Sequence, residues 1–262
     1  MNLASQLGRG LAQQMEVVHA IVLREIRTRF GVQKLGYLWA LLEPSIVILT
    51  FYWVFRITGR RHPEGMDLFS FIATGVVPYT LFSSSVSRVG EAINGNKSLL
   101  YYPQVRPIDL VMARSALEAA TFAAVFLLLL GGRALYAQEL QVDSPLHVIG
   151  GMAMASLLGT GFGMIFCALG QIAPSVERAR GPLMRPLFWI SGIFFTVEML
   201  PEGVRGAMLG NPVLHATEMV RDGWFREYTG HHSATYGFAW ILALLLVGLV
   251  LERAVRRKIE MT

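Results

Sequence analysis

LREIRTRFGVQKLGYLWALLEPS, residues Leu23 to Ser45, turns from a basic amphipathic segment directly into a membrane-spanning one. Arg24, Arg27, Arg29 and Lys34 crowd one side of the junction, and Tyr37, Leu38, Trp39, Leu41 and Leu42 open an apolar run on the other. Basic groups favour the cytoplasmic face, where anionic lipid attracts them and translocation is disfavoured. Tyr and Trp suit the headgroup level because one end of each ring is polar. The junction therefore sets the expected orientation of everything that follows.

The composition agrees. Hydrophobic residues make up 53% of the 262 and charged residues 16%, with mean hydropathy +0.48. Soluble domains lie nearer about 45 to 50% and about a quarter. The net charge of +5 and pI near 9.6 would suit nucleic acid, but the basic residues sit in short clusters between apolar spans. Membrane topology accounts for them better, and no nucleic-acid partner is expected. A single cysteine, Cys167, excludes an intrachain disulfide framework. About thirty amphipathic residues precede the first apolar run with no small-residue cleavage site, so the first span is expected to stay in the mature protein.

Working outward, Met15, Val18, Ile21 or Val22, Ile26 and Phe30 recur at helical spacing. They predict an amphipathic helix within 1–35, lying in the membrane interface or covering the protein's own surface. Gly31 and Gly36 bracket a hinge. Six apolar spans follow within 36–262, at 36–57, 68–87, 108–136, 146–173, 183–197 and 234–251; the third must tilt or protrude and the fifth is short. One set of flanks collects Arg9, Arg24, Arg27, Arg29, Lys34, Arg88, Lys97, Arg106, Arg178, Arg180, Arg185, Arg253, Arg256, Arg257 and Lys258. The other holds only Arg60, Arg61, Arg205, Arg221 and Arg226, which predicts that both termini are cytoplasmic. The stretch 207–220 is short and carries Pro212, His215 and Glu218, and so reads as a re-entrant or interfacial helix. Gly159 and Gly163 make the fourth span a close-packing helix, inside the subunit or across a dimer seam.

No catalytic constellation emerges. Gly95-Asn96-Lys97-Ser98 lacks the glycine spacing of a phosphate loop. His231-His232 has no carboxylate or Cys at ligand spacing, so no metal is expected. His215, Glu218 and Asp222 share one helical face and read as a solvated or headgroup-facing stripe. Within the spans, Arg114 and Glu118 stand four apart and can pair, leaving Glu43 as thin support for an ion-coupled transporter. The loop 88–107 is longer than two neighbouring spans require. It offers Leu99, Leu100, Tyr101 and Tyr102 as an apolar cluster on the water side, which marks a protein contact or folds back on the headgroups.

The stretch from Leu23 to Ser45, together with INGNKSLLYYPQVRPIDLVMAR (Ile93 to Arg114) and NPVLHATEMVRDG (Asn211 to Gly223), resembles the permease subunits of capsular polysaccharide exporters, the KpsM type within the ABC-2 superfamily. The resemblance implies an all-α membrane protein of six transmembrane helices, working as a homodimer with two ATPase subunits. ATP and Mg would sit on the ATPase, leaving this chain without a cofactor or catalytic residue. It implies a coupling loop at 88–107, with Arg88, Glu91, Asn96, Leu99, Leu100, Tyr101, Tyr102 and Arg106 toward the ATPase. Tyr101-Tyr102 departs from the Lys-rich form that many members carry there. It implies a periplasmic gate at 197–230 with Asn211, Pro212, His215, Glu218 and Arg221. Lipid-linked acidic polysaccharide would pass to a periplasmic co-polymerase or adaptor and through it to an outer-membrane channel. O-antigen or teichoic acid export by the same fold is the alternative.

Two further expectations concern the substrate. Arg24, Arg27 and Arg29 would hold the acidic head of a lipid-linked glycan, or merely attract anionic lipid. Sugar rings present apolar faces that suit aromatic rings, so Tyr37, Trp39, Tyr52, Tyr79 and Trp189 are candidates for the path. An interfacial aromatic belt explains the first three equally well. Core packing, with the polar tip bonded to a carbonyl near Pro78 or Pro186, is the alternative for Tyr79 and Trp189.

Single cysteines at Glu64 and Glu139, in a Cys167→Ser background, are expected to react with an impermeant thiol reagent from outside the cell. One at Lys97 is not. Outside labelling at Lys97 would overturn the predicted orientation.

Overall fold

The structure, a computed structural model, describes residues 3–30, 36–60, 62–138, 142–173 and 175–259. The hinge glycine Gly31, together with Lys34, falls outside them. Among the described residues the chain is helical without strands: α1 (Leu3–Phe30), α2 (Gly36–Thr58), α3 (Leu68–Gly90), a 3₁₀ segment (Asn94–Tyr101), α4 (Pro107–Phe126), α5 (Gly132–Ala137), α6 (Pro145–Ile172), α7 (Ser175–Ile190), α8 (Glu202–Met208), α9 (Pro212–Trp224) and α10 (Ala234–Ile259).

The boundaries follow from local chemistry. Asp67 starts α3 by accepting the Ser70 N–H at 3.0 Å, and Asn211 starts α9 by accepting that of Val213 at 3.0 Å. Pro145 and Pro212 occupy first-turn positions, where a missing N–H costs nothing. Leu127–Gly131 form a π turn that joins α4 to α5.

Among the described residues five helices are long and apolar enough to cross a membrane: Leu41–Thr58, Leu68–Gly90, Pro107–Ala137, Pro145–Ile172 and Ala234–Val255. They match five of the six expected spans. The remaining one, 183–197, does not form a single helix. Its first half belongs to α7, a 16-residue helix that also carries Glu177, Arg178, Arg180 and Arg185, and the chain then breaks at Gly192 into a turn with φ of 75°. Charge and length therefore keep α7 out of the set that composition alone identifies.

The core lies around α3 and α6. Added side-chain carbon at Gly159 would meet the Phe82 carbonyl oxygen at 2.5 Å, and at Gly163 the Val89 side chain at 2.6 Å. The small-residue stripe of α6 is thus used inside the subunit, letting two backbones approach. Its other faces take α9, where Gly151 meets Val220, and α10, where Gly161 meets Leu244.

The N-terminal helix turns apolar side chains toward protein. Val18 and Ile21 are buried in a cluster with Val89, Ala92, Leu110, Val111 and Cys167, so α1 covers the start of α4 and the end of α3. α2 is the reverse case. Leu38, Trp39, Ile46, Leu49, Trp53 and Ile57 are all exposed, leaving it an apolar helix mostly unclothed by its own chain.

Candidate functional site

At the α1 end of the bundle, the loop 88–107 is held by a polar mesh. α3 runs on to Gly90, so Arg88 belongs to the last turn of that helix, and the loop beyond it holds the 3₁₀ segment. Asn96, with φ −137° and ψ 28°, breaks that segment; it is buried, donates to the Ala92 carbonyl at 3.2 Å and accepts from Arg24 at 2.9 Å. Arg24 therefore serves the loop. Arg27 is exposed, and the side chain of Arg29 lies outside the described residues.

Arg180 on α7 bonds Glu91 and donates to the Ser87 carbonyl at 3.0 Å. Glu177 accepts from Asn94, which in turn accepts from Gln171 at 2.9 Å. The Arg106 N–H donates to Asp109 at 2.8 Å, capping α4, and its side chain is exposed. The four expected apolar contacts divide. Leu99 and Leu100 are half-buried against the second cluster, whereas Tyr101 (88%) and Tyr102 (60%) stand in the open.

Arg114 and Glu118 do not pair with each other. Arg114 instead bridges to Glu25 on α1 at 2.9 Å and donates to the Arg88 carbonyl at 2.8 Å. Glu118 accepts from Ser84 at 2.7 Å and faces Arg88 at 3.8 Å. Spacing on one helix showed that a pair was possible, but α1 and α3 supply partners that a single-helix view omits.

At the opposite end lie the two short helices α8 and α9. The expected solvated stripe on α9 is a correction, because His215 and Glu218 point inward. His215 Nδ1 accepts the Ser233 N–H at 3.0 Å, so its Nε2 carries the proton and donates to the Leu209 carbonyl at 2.8 Å. Burial holds the ring below its ordinary pKa. Asn211 also reaches back, donating to the Ile190 carbonyl at 3.1 Å and to Ser191 Oγ at 3.0 Å.

Arg221 is fully buried. Its guanidinium donates to the carbonyls of Phe195 (2.8 Å), Ile193 (2.9 Å) and Phe71 (3.3 Å), and lies 4.4 Å above the Phe71 ring. Glu218, also fully buried, stands 3.6 Å away and accepts from the Tyr228 hydroxyl and the His231 N–H. Burial pushes the Glu218 carboxyl up while Arg221 draws it back down. Gly75 leaves the room required, since a side-chain carbon there would meet the Arg221 guanidinium and the Ile193 backbone, each at 2.8 Å.

The aromatic candidates separate. Tyr79 is 4% exposed, and its hydroxyl donates to the Met184 carbonyl, two residues before Pro186. It is a core residue, which removes it from the candidate path. Trp189 is 56% exposed beside Phe51, Phe188 and Phe194, while on α2 Trp39 is exposed and Tyr52 half-buried. The Tyr37 side chain lies outside the described residues. At the histidine pair, the fold brings Asp222 and His147 to His232 from other elements.

With this geometry established, comparison with known proteins is decisive. Residues 16–225 match the model of the ABC-2 type transporter family. The chain belongs to that family. It is 33% identical over 245 residues to the polysialic acid transport protein KpsM of Escherichia coli, covering 93% of this chain and 95% of that one. It is 30% identical over 256 residues to the capsule polysaccharide export inner-membrane protein BexB of Haemophilus influenzae, covering 95% of both. The O-antigen export system permease protein RfbA of Myxococcus xanthus is 30% identical over 111 residues, 41% of this chain.

The sequence reading missed Glu25, Asn94, Glu177 and Arg180 at the α1 end, and Phe71 and Tyr228 at the other. Only tertiary packing unites them, and none carries a local motif.

Removing one partner of a buried charge pair costs about 3–5 kcal/mol. Arg221→Met is therefore expected to lower the thermal midpoint of the detergent-solubilised protein sharply. Adding Glu218→Gln is expected to restore part of the loss, because the orphaned charge is gone. A double variant as unstable as the sum of both single changes would contradict the pairing.

Proposed function

We propose that this chain is the transmembrane permease subunit of an ATP-driven exporter that moves lipid-linked capsular polysaccharide across the bacterial inner membrane. The observation that carries the reading is similarity over nearly the whole length of KpsM and BexB, whose names describe polysialic acid transport and capsule polysaccharide export. O-antigen export is the weaker reading, because the similarity to RfbA covers less than half of either chain.

In this reading both termini are cytoplasmic, α7 makes a sixth crossing and α8–α9 form the periplasmic gate. Two copies associate along the exposed apolar faces of α2 and α7, and the glycan passes between them along Trp39, Tyr52 and Trp189. The exposure of these helices supports such a seam, since apolar side chains turned from their own chain suit lipid or a second subunit equally. Arg27 and Arg29 meet the acidic headgroup. ATP and Mg belong to two partner ATPase subunits that dock at the 3₁₀ segment. Beyond the gate, a periplasmic co-polymerase or adaptor leads to an outer-membrane channel.

The exposure of Tyr101 and Tyr102 supports a role as docking anchors, while Leu99 and Leu100 pack against the bundle. A hot-spot side chain contributes about 2 kcal/mol, roughly thirtyfold in affinity. A Tyr101→Ser, Tyr102→Ser variant is expected to reach normal membrane levels, lose co-purification with the ATPase and lose surface capsule. Unchanged co-purification would place the docking surface elsewhere.

A further inference from the structure

At the gate end of the bundle, His147 in the first turn of α6, Asp222 near the end of α9 and His232 in the approach to α10 converge. One potential ligand atom from each lies within 4.8 Å of the other two. We propose that these three side chains form a binding site for a divalent transition metal, Zn²⁺ by the chemistry of the donors, that ties the gate segment to the bundle.

The donor set is two imidazoles and one carboxylate. Such three-ligand sites suit zinc and leave a fourth position for water. Zinc holds nitrogen and oxygen ligands at about 2.0–2.2 Å. Ligand atoms in a tetrahedral site are then roughly 3.3 Å apart. His147 Nδ1 and Asp222 Oδ2 are already 2.6 Å apart, a hydrogen bond that a metal would replace while releasing the shared proton. The 4.8 Å bound leaves rotation of side chains to close the set, and the exposed neighbours His231 and Ser233 leave the His232 loop room to follow.

The surrounding structure fixes the donors in advance. The Gly230 N–H donates to Asp222 Oδ1 at 2.7 Å, which leaves the second carboxylate oxygen for His147 or a metal. The N–H groups of Asp143 and Ser144 both donate to the Gly223 carbonyl at 3.0 Å, locking the start of α6 to the end of α9. His147 and His232 meet edge to face with ring centroids 5.4 Å apart. His232 Nδ1 is a buried ring nitrogen with no hydrogen-bond partner among the described residues. Two imidazoles and a carboxylate brought together from separate elements are the arrangement a metal would complete. The adjacent His231 is set apart, its Nδ1 4.0 Å from Glu198.

The site joins three elements that no helix connects directly. A bound metal would restrain α9 and the α10 approach against α6, and its release would free them. This proposal stands on side-chain geometry and does not require the substrate assigned above.

The test uses the full-length protein in nanodiscs, purified without a histidine tag and stripped with chelator. Zn²⁺ alone is titrated by calorimetry, and bound metal is counted by mass spectrometry. One Zn²⁺ per chain is expected, with a higher thermal midpoint than the stripped protein. Loss of even an outer-shell partner typically weakens metal binding by 10 to 100-fold, so His232→Ala and Asp222→Asn are each expected to weaken it by at least about tenfold. His231→Ala is expected to bind as wild type. Co²⁺ on the wild-type protein is expected to give the intense visible absorption of a low-symmetry four-coordinate ion. Substoichiometric Zn²⁺ on the wild-type protein would overturn the proposal, as would undiminished binding by the His232→Ala and Asp222→Asn variants.

Discussion

A guanidinium cannot lie at 0% exposure unless the protein replaces the water it gives up, and at Arg221 three carbonyls, one carboxylate and an aromatic face do so. The partners in these contacts lie far apart in sequence. Ile193 and Phe195 belong to the turn that ends α7, Phe71 to the first turn of α3 and Glu218 to α9 itself. One side chain thereby positions the turn after α7, α9 and α3 together. Glu218 carries the restraint onward through Tyr228 and the His231 N–H to the approach of α10. Helices of apolar residues slide easily past one another. A buried charge permits only the arrangement that satisfies it.

What could be read from the sequence follows the range of the interactions involved. Hydropathy is additive along a helix, so the segments around α3, α4, α6 and α10 were legible without any tertiary information. α7 was only half legible, because four ionised residues dilute its apolar signal and a glycine turn ends it early. Periodicity identified the polar face of α9 and assigned it to water, since spacing records which residues share a face and says nothing of what that face meets. The same limit separated Arg114 from Glu118, and divided the expected apolar cluster into inward leucines and outward tyrosines. Tyr79 and Trp189 looked alike as mid-span aromatics, yet one is core and the other exposed.

The two ends of the bundle are built differently. At the α1 end, partly exposed ion pairs and amide bonds link α1, α3, the 3₁₀ segment, α4 and α7, a mesh whose individual bonds exchange readily with water. At the other end the central polar groups, Arg221 and Glu218, are fully buried and face each other at 3.6 Å. α3 joins the two ends, touching the mesh through Ser87 and Arg88 and the Arg221 site through Phe71.

The central claim is that this helical bundle moves polysaccharide with energy from ATP spent on a partner chain. Its most direct test is uptake of labelled lipid-linked capsular polysaccharide into inverted inner-membrane vesicles containing the protein and its ATPase. Uptake is expected to require hydrolysable ATP, to stop when the partner's catalytic residue is inactivated and to persist when the proton gradient is collapsed. Uptake that survives loss of ATP hydrolysis but ceases with the proton gradient would contradict the account and identify an ion-coupled transporter instead.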